Sequence, residues 1–176
     1  MNYREKFEAQ ETKKFLNYLV SDEITPLLED YGYKKKKDAW YKTNGDIFIQ
    51  IEIVKTIRNN GRRIAFKFLI AMFLNEKNSK PVELKKILNN FEWNPKENFL
   101  SEIDYFLTDE HLIYKKQNFG WMDWYIVSQD TFEKIVDSHL LNDFENYLIP
   151  QLEKINNEEL FNKTLKEKKP KVLKLK

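Results

Sequence analysis

The chain has 176 residues, enough for one domain with a sizeable core, and its 41% hydrophobic and 15% aromatic content excludes global disorder. Thirty Lys and Arg against 28 Asp and Glu leave a formal charge of +2, so any steering toward nucleic acid or an anionic membrane must come from a local patch. The absence of cysteine rules out disulfides, thiol catalysis and thiolate metal sites, and a zinc site would need both histidines, His111 and His139, together with carboxylates.

The N-terminal "MNYREKFEAQETKK" lacks the apolar segment of a signal peptide, and no apolar run approaches the roughly 20 residues that span a bilayer. The expectation is a soluble, cytoplasmic protein without membrane partners. The abundance of Lys, Asn and Ile with few Gly suggests an AT-rich bacterial or phage genome. Phe15, Leu16, Leu19, Val20, Ile24, Leu27, Leu28 and Tyr31 recur at helical spacing. Pro26 cannot donate a helical hydrogen bond, so the spacing predicts a kink or restart there, with Ser21 as a candidate cap. Gly32 stands where a helix stop wants a left-handed residue.

"AWYKTNGDIFIQIEIVKT" places an Asn44-Gly45 pair between two strand-like runs, a strong hairpin signal. Beyond it Ile47, Ile49, Ile51 and Ile53 fall on one face, and Phe48, Gln50, Glu52 and Val54 on the other. "RNNGRR" reads as a second turn. "RRIAFKFLIAMF" reads as a third strand with Ile64, Phe66, Phe68, Ile70 and Met72 on one side. "SKPVELKKILNNF" suggests a short helix opened by Pro81, and "EWNPKENFLSEIDYFL" a loop followed by a strand. "GWMDWYIVS" reads as one more strand. Asp130 and Glu133 have capping-box spacing ahead of a helix striped by Phe132, Ile135, Val136, Leu140, Phe144, Tyr147 and Leu148. Pro150 kinks or ends that helix, and "NNEELFNKTL" starts a final one. This order predicts a single α+β domain over residues 1–165, with an antiparallel meander packed against flanking helices and its second face partly open. Residues 166–176 form a basic, flexible tail.

Around "ITPLLEDYGYKKKKDAWYKTNGDIFIQIEIVKT" the chain resembles a bacterial family of domains of unknown function, numbered 4304. The resemblance rests on Pro26, Gly32, Tyr33, Lys34, Lys35, Trp40, Asp46 and Lys55-Thr56, and on Trp121 and Trp124 of the later tryptophan-rich strand. Tyr33, Val54 and Thr56 depart from the family's usual Phe, Gln and Ser, and the basic tail looks like an addition. The resemblance implies an α+β fold and supplies no reaction.

Catalytic constellations are weak. Glu52 and Lys55 in "EIVK" are one residue too far apart for a strand-borne metal nuclease, so their side chains point to opposite faces. Glu83-Leu84-Lys85 has the right spacing in a predicted helix. Asp109-Glu110-His111 scatters its side chains, and His139 reads as a core or boundary residue. No serine elbow or phosphate loop occurs. No cofactor is expected, and enzyme activity is disfavoured.

Four consecutive lysines, Lys34, Lys35, Lys36 and Lys37, alternate sides on an extended chain and read as a sheet edge, where lysine discourages strand-to-strand aggregation. The partly open sheet face is the candidate protein-binding surface, through Gln50, Glu52, Lys67, Trp121, Asp123 and Trp124. The preferred reading is a small non-catalytic binding protein, toxin-neutralising or defence-linked, whose partner is another protein. The alternative is nucleic-acid association through Lys34–Lys37 and tail lysines such as Lys168 and Lys169.

Overall fold

The computed structural model describes residues 16–55, 63–75, 79–84, 98–108, 110, 112, 125–128 and 136–167, and the statements that follow concern these. Six strands make one antiparallel sheet: β1 (Lys34–Lys36), β2 (Ala39–Asn44), β3 (Ile47–Lys55), β4 (Arg63–Leu74), β5 (Asn98–Glu102) and β6 (Tyr125–Ser128). Strands β1 to β5 are neighbours in chain order, which is the meander the alternating sequence predicts. The 12-residue β4 holds two partners end to end, β6 along Arg63–Phe66 and β5 along Leu69–Phe73.

Period-two alternation sets the main core. Ile47, Ile49, Ile51 and Ile53 all point inward, opposite Phe68, Ile70 and Met72 of β4, and Trp40 of β2 faces Ile51. Each fully buried Ile or Phe contributes about 1.5–3 kcal/mol relative to an exposed side chain. Helical residues close this face: Leu19, Val20, Ile24 and Leu28 from the N-terminal side, and Val136, Leu140, Phe144, Leu148 and Leu152 from the C-terminal side. The fold is thus α+β, an antiparallel sheet against flanking helices.

Both helix-borne prolines are accommodated in the same way. A wide π turn over Leu19–Ile24 leads into α1 (Thr25–Asp30), and another over Asp143–Leu148 leads into α2 (Ile149–Lys154). In each, the backbone N–H just before the proline bonds a carbonyl five residues back, Thr25 to Val20 and Ile149 to Phe144. The added residue per turn moves aside the carbonyl that the pyrrolidine ring would strike, so the helix passes the proline without breaking. Ser21 is therefore not a cap. It lies inside the π turn, and its hydroxyl donates to the Asn17 carbonyl at 2.7 Å. Thr25 has the larger role: its hydroxyl donates to the Val20 carbonyl at 2.5 Å and accepts the buried Trp40 indole N–H at 3.1 Å.

Helix α1 ends as predicted, with Gly32 at φ +82°. The Gly32 N–H bonds Glu29 O at 2.9 Å and the Tyr33 N–H bonds Leu28 O at 3.0 Å, a Schellman pair that satisfies the terminal carbonyls. The β2–β3 turn falls one residue later than the Asn44-Gly45 reading. Asn44 pairs with Ile47, and Gly45 (φ +58°) and Asp46 form the loop, with glycine first as in a type II′ turn. This releases the Asn44 carboxamide to donate to the Leu152, Glu153 and Ile155 carbonyls at 3.0–3.3 Å, closing the C-terminal end of α2. The Asp46 N–H bonds Asn156 O at 3.0 Å. The final helix α3 (Glu158–Glu167) starts with Asn157 Oδ1 accepting the Leu160 N–H at 2.9 Å.

The second sheet face departs from the expectation of an open surface. Residues 79–83 are not helical, and helix begins only at Leu84, so Pro81 does not open a helix. The segment lies across this face and Leu84 is buried with Val54, Leu69, Ala71 and Leu100 in a second apolar cluster. The physical reason is that Phe48, Val54, Leu69 and Ala71 are too apolar to be left to water, and the nearest free stretch of chain covers them. The predicted "RNNGRR" turn, the Asp130–Glu133 box and residues 168–176 of the predicted tail lie outside the described residues, while Lys166 and Glu167, assigned to the tail, belong to α3.

Candidate functional site

The lysine run folds as a hairpin that the sequence does not announce. Lys34–Lys36 pair with Tyr41, Trp40 and Ala39, and Lys37-Asp38 forms a two-residue turn. All four lysines are exposed, and β1 is a three-residue edge strand, as the edge-protection reading expects. Lys37 adopts φ +56°, a left-handed conformation that costs a non-glycine residue roughly 1–2 kcal/mol. Strain of that kind persists only where surrounding structure holds it. Here the Asp38 carbonyl accepts the Ile53 N–H at 3.0 Å, which ties the turn to β3.

Beside this turn lies a groove of about 680 Å³. Its walls are the β1–β2 turn, the end of β3 at Glu52–Lys55, and the segment Pro81–Glu83. Of the charges around it, Lys55 is paired with Asp38 at 3.2 Å, and the Glu52 carboxylate accepts the Leu84 N–H at 2.8 Å. Lys36 and Lys37 make no ion pair among the described residues and stand at the turn as the groove's unpaired cations, while Glu83 adds a carboxylate to the Pro81–Glu83 wall. Glu52 and Lys55 are each engaged elsewhere and do not converge on a shared point.

Gln50 is fully buried, and its carboxamide meets the Val82 backbone twice, donating to Val82 O at 2.6 Å and accepting Val82 N–H at 2.9 Å. It also donates to Glu52 Oε2 at 3.3 Å. A side-chain amide thus reproduces the hydrogen-bond pair of a neighbouring strand, and Glu52 continues it by one more N–H. Lys67 is 5% exposed and forms a buried ion pair with Glu102. The expectation that Gln50, Glu52 and Lys67 stand open on a sheet face does not hold: two are interior and Glu52 is half-buried, because each found its hydrogen-bonding partner within the chain. Trp121, Asp123, Trp124, Lys168, Lys169, His111, Asp109 and Lys85 lie outside the described residues. Of the two histidines, His139 is buried in the helical stretch Val136–Leu140, next to Leu140.

On the far side of the hairpin, Lys42 bridges three groups. It pairs with Glu153, donates to the Tyr31 carbonyl at 3.0 Å, and lies 4.9 Å from the Tyr33 ring centre. The Tyr33 hydroxyl is buried without a hydrogen-bond partner among the described residues. Burial, aided by the Glu153 charge, holds its ionisation far above the ordinary tyrosine value.

The groove's lysines were legible as a charge run, but Asp38 and Pro81–Glu83 carry no signal that would place them beside it. Among the described residues no group of three or more His, Asp or Glu could hold a metal ion, and no helix is long and apolar enough to cross a membrane. Comparison with protein-family models, with curated proteins and with solved structures found no match. The resemblance to the family numbered 4304 therefore rests on the residues quoted for it.

Proposed function

We propose that this chain is a small non-catalytic binding protein, of a toxin-neutralising or defence-linked kind, that receives an acidic segment of another protein at the lysine corner. The observation that carries this reading is the groove between the β1–β2 turn and Pro81–Glu83, with Lys36 and Lys37 unneutralised on its rim. A concave site lined by Ala39, Ile53, Val54, Pro81 and Val82 beside charged groups of both signs suits a peptide-sized ligand, and the unpaired lysines at the turn favour encounter with an acidic one. Strain at Lys37 is the kind found at ligand clamps.

A second reading, nucleic-acid association, is favoured by the exposure of Lys34–Lys37 on an edge. Fluorescence anisotropy separates the two. An octapeptide alternating Glu and Leu should bind saturably, and Lys36→Glu with Lys37→Glu should weaken it about tenfold or more, equivalent to about 1.4 kcal/mol. Single-stranded DNA of equal length should bind weakly at low salt. A steep fall of DNA affinity with salt, together with indifference to the peptide, would favour phosphate contacts instead.

A further inference from the structure

We infer that residues 79–84 are a built-in occupant of an extended-peptide site, and that a partner's segment takes their place. This deepens the binding reading above and rests on it for the existence of a partner.

The strap is held unlike the rest of the sheet. Strands β1 to β6 pair backbone to backbone, whereas the strap's backbone is read by side chains: the Gln50 carboxamide on both polar groups of Val82, and Glu52 on the Leu84 N–H. Reading a main chain through N–H and C=O is independent of the side chains it carries, so any extended segment offers Gln50 the same pair. Specificity comes from one anchor, Leu84, seated among Val54, Leu69, Ala71 and Leu100. The Val82 side chain is 40% exposed, so Val82 is held through its backbone rather than by burial. The groove runs along Pro81–Glu83, leaving open space where an incoming chain first meets the sheet. The occupant is therefore a segment that is non-helical through the residue Gln50 reads, with a branched aliphatic residue two positions later, where Leu84 is helical. Acidic residues upstream of that anchor would meet Lys36 and Lys37.

The test is exchange in the full chain. A fluorescent peptide of residues 79–86 is titrated against wild type, Leu84→Ala, and Leu84→Ala with Gln50→Ala. The peptide should bind Leu84→Ala about tenfold or more tightly than wild type, because the resident anchor has been weakened, and the added Gln50→Ala should abolish binding. Equal affinity for all three, or no binding to a folded Leu84→Ala chain, would overturn the proposal. Should the variants fail to fold, hydrogen exchange on wild type decides. The Val82 and Leu84 amides should exchange by local opening, far faster than the β3 amides of Ile49 and Ile51, and equal protection would overturn it. Peptide exchange without octapeptide binding at the lysine rim leaves the strap standing and removes the acidic-partner reading; the reverse result removes the strap alone.

Discussion

Gly45→Ala probes the junction on which the hairpin and the C-terminal helices depend. A Cβ at this position would stand 1.9 Å from the Asn156 carbonyl oxygen, a backbone atom that cannot rotate away. The φ of +58° adds a left-handed penalty of about 1 kcal/mol for alanine. Relieving the clash means moving the 155–157 turn from the hairpin, which strains the Asp46–Asn156 bond and the Asn44 contacts to Glu153 and Ile155. Two or three such bonds at about 1 kcal/mol each bring the total to about 3–4 kcal/mol. In a domain of this size that lowers the melting temperature by roughly 10 °C. Gly32→Ala is the internal control: φ is also positive, but no atom lies within 4 Å of its added Cβ, so only the conformational cost of about 1 kcal/mol applies. Urea unfolding of both variants measures the difference. Equal losses, or a Gly45→Ala loss below about 1 kcal/mol, would refute the close approach of Asn156.

Three further outcomes follow from buried polar groups. Thr25→Val removes the acceptor of the Trp40 indole and should cost about 1–3 kcal/mol, with a shifted Trp40 emission in the folded state. Lys67→Met leaves the Glu102 carboxylate buried without its ion-pair partner and should cost about 3–5 kcal/mol, while adding Glu102→Leu should recover most of that; a double-mutant cycle in urea measures it. Tyr33 ionises in the unfolded chain near pH 10 but resists in the folded one, so its stabilising contribution is intact below pH 10 and is lost as pH rises above it, by up to about 1.4 kcal/mol per pH unit. Tyr33→Phe should flatten that alkaline loss and, by removing an unpartnered buried hydroxyl, leave stability at neutral pH unchanged or raised; an unaltered alkaline slope would contradict the burial of the phenol.

What the residues announce and what they conceal differ for physical reasons. Ile47 to Ile53 alternate without interruption, and a single register buries all four, so the strand and its inward face were legible. Gly32 was legible because few other residues accept its backbone conformation. The β1–β2 hairpin was not, since its turn is made by Lys37 and Asp38 and lacks the glycine that marks such turns. The prolines signalled disruption, but the choice of a wide turn over a break depends on packing of Leu19, Ile24, Phe144 and Leu148 in one core, which is a tertiary matter. The candidate site was legible by half. Its lysines stand out as a run, whereas the wall at Pro81–Glu83 is set by Gln50 and Glu52 some thirty positions earlier, and no local pattern records that pairing.

Because the chain has no cysteine, single-cysteine variants report accessibility without background. Ala71→Cys sits beneath Leu84 on the second sheet face, and Lys36→Cys on the rim of the groove. Under native conditions the thiol at 36 should react with a maleimide at the rate of a free thiol, and the thiol at 71 about a hundredfold more slowly, limited by opening of the strap. Equal reaction rates at the two positions in a folded chain would mean that the second face stands open, and that Gln50 and Glu52 do not hold residues 82–84 across it.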